Sequence, residues 1–379
     1  MAEIVFWVCV LSIGYTYVGY GLLLWVLSKA MSKPPASADI TPHVTVIITA
    51  YNEEASIEAK LRNLLSQDYP REALEIIVAS DASTDATDEI VKGMESEGVR
   101  LLRVEGRLGK TEAQNRAAEA SSGEILVFTD ATTELHQQGL RRMVRSFADP
   151  EVACVGGQLT YVSKQQRGVG SGGSSYWQYE RTLKRLESAI HTLIGVSGCF
   201  YAVRKSVFSP ISPHLISDFV IALETVEKGY RVIYEGGAES YEETLEDPQK
   251  EFAMRVRVIL RTYAALWEKR SLMNPFRYPL FALQLISHKV LRYAVPLFML
   301  GAFVSNAFLL YNRFYWFTFA VQLAFHSIAL AGHFMQRSGR GLGLASKPYY
   351  FELANLAALR ALLKFLRGER IVTWEPIRK

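Results

Sequence analysis

Apolar residues form long uninterrupted runs near both ends of the chain and short runs in its middle. Residues 4–28 carry no charged side chain over 25 positions, and a bilayer core requires roughly 20. Residues 294–311 and 314–335 also lack Lys, Arg, Asp and Glu, and only Asn312 and Arg313 separate them. The pattern predicts an N-terminal membrane anchor and, later, a hairpin of two membrane-spanning helices.

Two segments that flank the hairpin are largely apolar but contain charged or polar side chains. Residues 349–366 include three charged side chains, so we expect a helix that lies on the membrane or inserts partly; a full span stays open. Residues 276–293 place several polar side chains on one helical face, which is typical of an amphipathic interfacial helix. Those side chains are Gln284, Ser287, His288 and Arg292.

The middle of the chain alternates strand-like and helix-like patterns. Strands are predicted at "HVTVIITA", "LEIIVAS", "VRLLRVE", "GEILVFTDA", "VACVGGQLTYV" and "YRVIYEG". Apolar strands alternating with helices predict an α/β fold with a mainly parallel sheet covered on both faces. The predicted organisation is an anchor (1–33), a cytoplasmic α/β domain (34–250), interfacial helices (251–293), the hairpin (294–336) and a cytoplasmic or interfacial C-terminal segment (337–379).

The distribution of charge predicts an orientation in the membrane and argues against nucleic acid as a partner. The net charge is only +4, with 42 Lys and Arg against 38 Asp and Glu, so no nucleic-acid-binding surface is indicated. Lys29 and Lys33 follow the first apolar run, which places the middle domain in the cytoplasm by the positive-inside bias. We therefore expect a multi-pass protein of the cell membrane that contacts membrane lipids.

Acidic residues follow three of the predicted strands. Glu53 comes after the first strand, Asp81 ends the second, and Asp130 ends the fourth. Ligands of parallel α/β sheets bind at the carboxyl ends of the strands. One such acid can simply cap the next helix, but three together indicate a binding site.

The stretch "VRLLRVEGRLGKTEAQ" resembles a nucleotide-binding P-loop at first sight. That motif requires a glycine five residues before Gly109, and the chain has Val104 there. The sequence therefore argues against an ATPase or GTPase of that type. Lys110 either reaches a phosphate at the start of a helix or lies exposed to solvent.

Several motifs in order resemble the membrane-anchored family-2 glycosyltransferases, which include the relatives of hyaluronan and cellulose synthases. They are "VTVIITAYNEE", "IIVASDASTD", "GKTEAQNRA", "ILVFTDATT", "YWQYER", "GVSGCFYAVRKSVF", "ISDFVIALE", "GYRVIYE" and "RVRVILR". The resemblance implies a GT-A fold, which is Rossmann-like. It also implies a nucleoside-diphosphate sugar donor, commonly a UDP-sugar, and Mg²⁺ or Mn²⁺ as cofactor.

The resemblance also implies roles for particular residues. Tyr51, Glu53 and Asp81 would hold the nucleoside, and Asp130 would bind the cation on the diphosphate, with a hydroxyl from Thr132. Asp218 falls at the position of the catalytic base; the alternative is that it caps a helix. Arg255 and Arg257 would hold the diphosphate or face anionic lipid. Tyr176 and Trp177 are either core aromatics or an acceptor platform.

Two departures from the family pattern shape the expected activity. Thr132 replaces a second aspartate, so we expect weak metal binding without donor; a missed ligand would be sought first at Glu134. Val258 replaces the tryptophan of processive members. We therefore expect transfer of one hexose or N-acetylhexosamine to a lipid-linked or membrane-presented glycan acceptor, in cell-surface polysaccharide synthesis. A processive synthase and a non-catalytic scaffold stay open, as do assembly partners and a homo-oligomer.

Overall fold

The computed structural model describes residues 1–162, 175–244, 247–338 and 342–373. The chain divides into two compact units that each draw on distant parts of the sequence. The sheet unit consists of Leu24–Glu246, Ala264–Phe281 and Arg370–Lys379. The helical unit consists of Met1–Leu23, Asp247–Tyr263 and Ala282–Glu369.

Eight strands in the described part of the chain form one mixed sheet. They are β1 Val44–Ala50, β2 Leu74–Asp81, β3 Val99–Val104, β4 Ile125–Asp130, β5 Glu134–Leu135, β6 Val152–Val162, β7 Phe200–Arg204 and β8 Arg231–Glu243. Their order is β3-β2-β1-β4-β7-β6-β8-β5. Neighbours among β1 to β4 are parallel, and so are β6 and β8, whereas β7 is antiparallel to β4 and β6. The prediction of a mainly parallel α/β sheet is confirmed; β5 and β7 were not predicted.

The described helices cover the sheet or form the helical unit. They are α1 Ala2–Met31, α2 Ile57–Leu65, α3 Thr87–Gly93, α4 Lys110–Ala120, α5 Gly139–Val144, α6 Ser175–Ile190, α7 Ser217–Glu227, α8 Pro248–Glu268, α9 Pro279–Ala307, α10 Arg313–Arg337 and α11 Ser346–Leu366. In α2 the apolar side chains of Ile57, Leu61 and Leu64 recur at helical spacing and are fully buried. This face packs with Val44, Val46, Ile48 and Ala50 of β1 in the core of the sheet unit, and every residue of β1 is buried.

Within the described residues, α1, α9 and α10 are long and apolar enough to cross a membrane. Helix α9 runs without a break through the boundary that we expected between residues 293 and 294. The polar side chains Gln284, Ser287 and His288 are each at most 5% exposed. Tyr15 of α1 hydrogen-bonds Ser287 at 2.9 Å. In the helical unit this polar face therefore packs against α1 instead of lying open to lipid head groups.

Candidate active site

The site is built around Asp130, the last residue of β4. Strand β1 runs beside β4 and the two are parallel, so Asp130 lies at the carboxyl edge of the central strands. Its backbone carbonyl accepts a hydrogen bond from the Thr133 amide at 3.2 Å, which closes a tight turn. The Lys110 ammonium, at the start of α4, forms an ion pair with the Asp130 carboxylate.

Two further side chains join Asp130 in a group that can hold a cation. Ligand atoms of Asp130, Cys199 and Glu242 all lie within 4.8 Å of one another. The Thr132 hydroxyl donates to Glu242 at 3.3 Å, and the Cys199 thiol donates to the other oxygen of the same carboxylate at 3.4 Å. Glu242 thus supplies a second carboxylate in contact with Thr132, the residue that replaces the second aspartate.

The chemistry of this group favours a hard divalent cation. Burial raises the pKa of the Cys199 thiol well above its ordinary value, and the Glu242 and Asp130 carboxylates raise it further. A protonated thiol is a poor metal ligand, so oxygen atoms of Asp130, Glu242 and Thr132 are the available donors. Oxygen donors suit Mg²⁺ and Mn²⁺. Glu134, the expected first place for a missed ligand, is an exposed residue of β5 and does not belong to the group.

A buried lysine lies beneath this turn. Lys60 of α2 is 3% exposed, and its ammonium donates to the Thr129 hydroxyl at 2.9 Å and to the Thr133 carbonyl at 2.5 Å. Burial lowers the pKa of Lys60 from 10.5 to about 7, although nearby acids, Asp130 foremost, oppose that shift. Lys60 therefore joins the two ends of the turn that carries Asp130.

Asp218 lies in the first turn of α7, close to the same acids. Its carboxylate accepts the Phe219 amide at 2.8 Å, but the N-cap position of this helix is Ile216, so Asp218 is not the helix cap of the alternative interpretation. Its other oxygen lies against Gly198, where an added Cβ would approach it to 2.7 Å. Burial lowers the pKa of Lys110, but the Asp130 and Asp218 carboxylates raise it by more. Gly198 directly precedes Cys199, so the Asp218 carboxylate lies beside the group formed by Asp130, Cys199 and Glu242.

The residues expected at the nucleoside end also come together. Asp81 is fully buried and accepts the backbone amides of Leu108 and Gly109 at 2.8 and 3.0 Å. The Arg107 guanidinium lies 3.3 Å from the centre of the Tyr51 ring and 3.7 Å from the Asp81 carboxylate. Asp81 therefore shapes the loop ahead of α4, and its contact with a nucleoside stays a prediction.

Other predicted residues lie elsewhere or have structural partners. The Glu53 amide donates to Thr87 at 2.8 Å, and its carboxylate accepts from Ser56 at 3.2 Å. Arg255 and Arg257 belong to α8 in the helical unit, where Arg255 pairs with Glu251 at 2.7 Å. Their role toward a diphosphate stays a prediction.

The two aromatic residues expected to bind acceptor belong to α6. Trp177 packs on Tyr161 with ring centres 5.0 Å apart, which fits the core alternative and leaves the acceptor role untested. The side chain of Tyr176 lies outside the described residues.

Comparison with known proteins identifies the family of a large part of the sheet unit. Residues 45–211 match the model of "Glycosyl transferase family 2". The chain carries a family 2 glycosyltransferase domain. Its fold is that of GT-A enzymes: the mannosyltransferase PcManGT from Pyrobaculum calidifontis, solved with GDP-Man and Mn²⁺, superposes with a TM-score of 0.73 at 23% identity, covering 97% of this chain and 100% of that one.

Curated relatives carry the same kind of domain. Glycosyltransferase AglE of Haloferax volcanii is 31% identical over 182 residues, which are 46% of this chain and 58% of that protein. A poly-beta-1,6-N-acetyl-D-glucosamine synthase of Staphylococcus aureus is 26% identical over 244 residues, 63% of this chain and 55% of that protein. The chain thus spans little more than half the length of these relatives.

Two residues of the site, Glu242 and Cys199, and the lysine beneath it, Lys60, were not predicted from the sequence. Glu242 reaches the site because β5 pairs with β8, with Glu134 opposite Tyr241. Cys199 arrives on the approach to the unpredicted strand β7. Of these three, only Lys60 could have been found from the sequence. A lysine between the apolar positions Ile57, Leu61 and Leu64 falls on the buried face of α2, where its ammonium requires polar partners.

Proposed function

We propose that this protein is a membrane-held inverting glycosyltransferase, which transfers one hexose or N-acetylhexosamine from a nucleoside-diphosphate sugar to a lipid-linked or membrane-presented glycan. The observation that carries the proposal is the meeting of Asp130, Glu242 and Lys110 at one edge of the sheet, with the Asp218 carboxylate against Gly198, the residue before Cys199 of the same group. Three candidate membrane-spanning helices support an acceptor presented by the membrane.

The proposed reaction is a single displacement at the anomeric carbon. Asp218 accepts the proton of the acceptor hydroxyl while the oxygen of that hydroxyl bonds to the sugar. The bond from sugar to diphosphate breaks, and Lys110 offsets the charge left on the diphosphate. Asp130 and Glu242 would hold the divalent cation, which supplies further charge stabilisation to the leaving group.

The test is sugar transfer by the purified full-length protein in lipid vesicles that contain a membrane extract. The donor panel includes GDP-mannose and UDP-N-acetylglucosamine with Mn²⁺, and the readouts are released nucleoside diphosphate and product mass. Asp218→Asn is expected to abolish transfer while donor affinity is kept, and the exposed Asp39→Asn serves as matched control. Failure of every donor, or normal turnover by Asp218→Asn, would contradict the proposal.

A second variant addresses Asp218 without changing it. Gly198→Ala would bring a Cβ to 2.7 Å from the Asp218 carboxylate, so that the carboxylate must move. We expect a fall in kcat of about tenfold or more, because small misplacements of a reacting group cost up to about a hundredfold. An unchanged kcat would show that the Asp218 position is not critical. Products carrying many sugars in the wild-type assay would favour the processive alternative.

A further inference from the structure

The ion pair between Lys110 and Asp130 occupies the carboxylate that the proposed cation needs. Both side chains are partly exposed, 24% for Lys110 and 28% for Asp130, so the pair lies at the open side of the site. A cation that takes Asp130 as ligand must replace the lysine ammonium on the same carboxylate. Lys110 is therefore a built-in competitor of the cation.

Charge balance opposes a cation that arrives alone. In the ion-paired state the Lys110 ammonium offsets the Asp130 carboxylate. A divalent ion would bring two further positive charges beside this ammonium, at partly buried positions where like charges repel strongly. A diphosphate brings negative charge back and restores the balance.

Of the two lysines near Asp130, only Lys110 is placed so that its side chain can move away. Lys60 is 3% exposed and tied to Thr129 and Thr133. Lys110 is the first residue of α4, with a flexible four-carbon side chain. Backbone amides at a helix start and the lysine itself both attract phosphate. The mobile lysine is thus also the one beside a potential phosphate position.

We propose that Lys110 couples metal binding to donor binding, by neutralising Asp130 in the empty protein and by moving to the donor diphosphate when the cation binds Asp130. The inference rests on the proposed function, since it requires a nucleoside-diphosphate donor. By linkage, donor then raises metal affinity by the same factor as metal raises donor affinity.

The test measures Mn²⁺ binding by the full-length protein without any sugar, by electron paramagnetic resonance of the free ion. Lys110→Met is expected to bind Mn²⁺ alone at least about fivefold more tightly than wild type, the lower end of typical couplings, and to bind UDP and GDP more weakly. Lys110→Arg keeps the ion pair and is expected to match the wild type in Mn²⁺ affinity. The exposed Lys92→Met controls for loss of one positive charge.

Two results would overturn the inference. One is an unchanged or weaker Mn²⁺ affinity in Lys110→Met; the other is a wild-type Mn²⁺ affinity that neither UDP nor GDP increases. Asp130→Asn identifies the site, because it is expected to lose the bound Mn²⁺ in every background. Mn²⁺ binding is measured independently of sugar transfer. If UDP or GDP raises the Mn²⁺ affinity but no acceptor receives a sugar, the proposed reaction is contradicted and the proposed role of Lys110 is still supported.

Discussion

At the scale of single residues, Lys60 shows how a buried charge can serve a site that it does not line. Its ammonium has two neutral oxygen partners and several acids at longer range. Burial without a contacting carboxylate disfavours the protonated form. Burying Lys60 costs free energy, but its hydrogen bonds connect residues 129 and 133 and so fix the turn that presents Asp130.

This burial predicts a pH dependence of stability. The pKa of Lys60 is about 7 when folded and returns to its ordinary value of 10.5 when unfolded. Between these values the unfolded chain binds a proton that the folded chain lacks, so stability rises with pH by about 1.4 kcal/mol per unit. Lys60→Met has no titrating group at this position, so its stability lacks this rise with pH.

The measurement is chemical unfolding of wild type and Lys60→Met in detergent between pH 7.5 and 9.5. The stability of the wild type should increase relative to the variant over this window, whereas Lys92→Met should follow the wild type. Parallel profiles for wild type and Lys60→Met would show that Lys60 stays protonated in the folded protein.

At the scale of elements, the loop between β3 and α4 determines where Lys110 lies. Gly106, Arg107 and Gly109 all have positive φ, at 95°, 51° and 93°, and the carbonyl of Val372 would lie only 2.5 Å from a Cβ at Gly109. Glycine is therefore required at position 109. Asp81 holds this conformation through two backbone amides, so one carboxylate connects the end of the site proposed for the nucleoside to the end proposed for the diphosphate.

Asp81→Asn is expected to disturb this loop, because an amide NH₂ cannot accept the hydrogen bond that a carboxylate oxygen accepts. The expected cost is about 1–3 kcal/mol of stability, with weaker binding of Mn²⁺–pyrophosphate by calorimetry. Pyrophosphate has no nucleoside, so unchanged pyrophosphate binding together with lost UDP or GDP binding would instead indicate that Asp81 contacts only the nucleoside. Asp39→Asn, on an exposed acid of the same unit, is the control.

At the scale of the whole molecule, residues from opposite ends of the sequence build the helical unit. Tyr15 bonds Ser287 across 272 positions, and each lies in a π-helical segment, Tyr15–Gly19 and Ile286–Val290. Tyr315 of α10 donates to Glu3 at 2.5 Å. In apolar surroundings such polar contacts fix which helices pair. The N-terminal helix is thus part of a packed bundle as well as a candidate anchor.

A double-mutant cycle tests this packing. Tyr15→Phe and Ser287→Ala should each lower the unfolding stability in detergent, and the double variant should lose less than the sum, by about 0.6 kcal/mol. Tyr311→Phe, at a tyrosine that is 81% exposed, should have no effect. Strictly additive losses would show that the hydrogen bond contributes nothing to the bundle.

The sequence by itself determined the α/β class, the six longer strands and the acids at their ends, because burial periodicity and strand-end chemistry are local properties. It also located the long apolar helices. The family 2 motifs pointed to Asp130 and Asp218 without revealing what surrounds them.

Tertiary structure decided the composition of the site. Glu242 is 112 residues from Asp130 in the chain and meets it through the pairing of β8 with β5 and β6. The polar face of residues 284–288 looked interfacial because its partner, α1, lies at the other end of the sequence. Strand order and helix pairing depend on contacts between distant segments, and local patterns carry little information about which segments will meet.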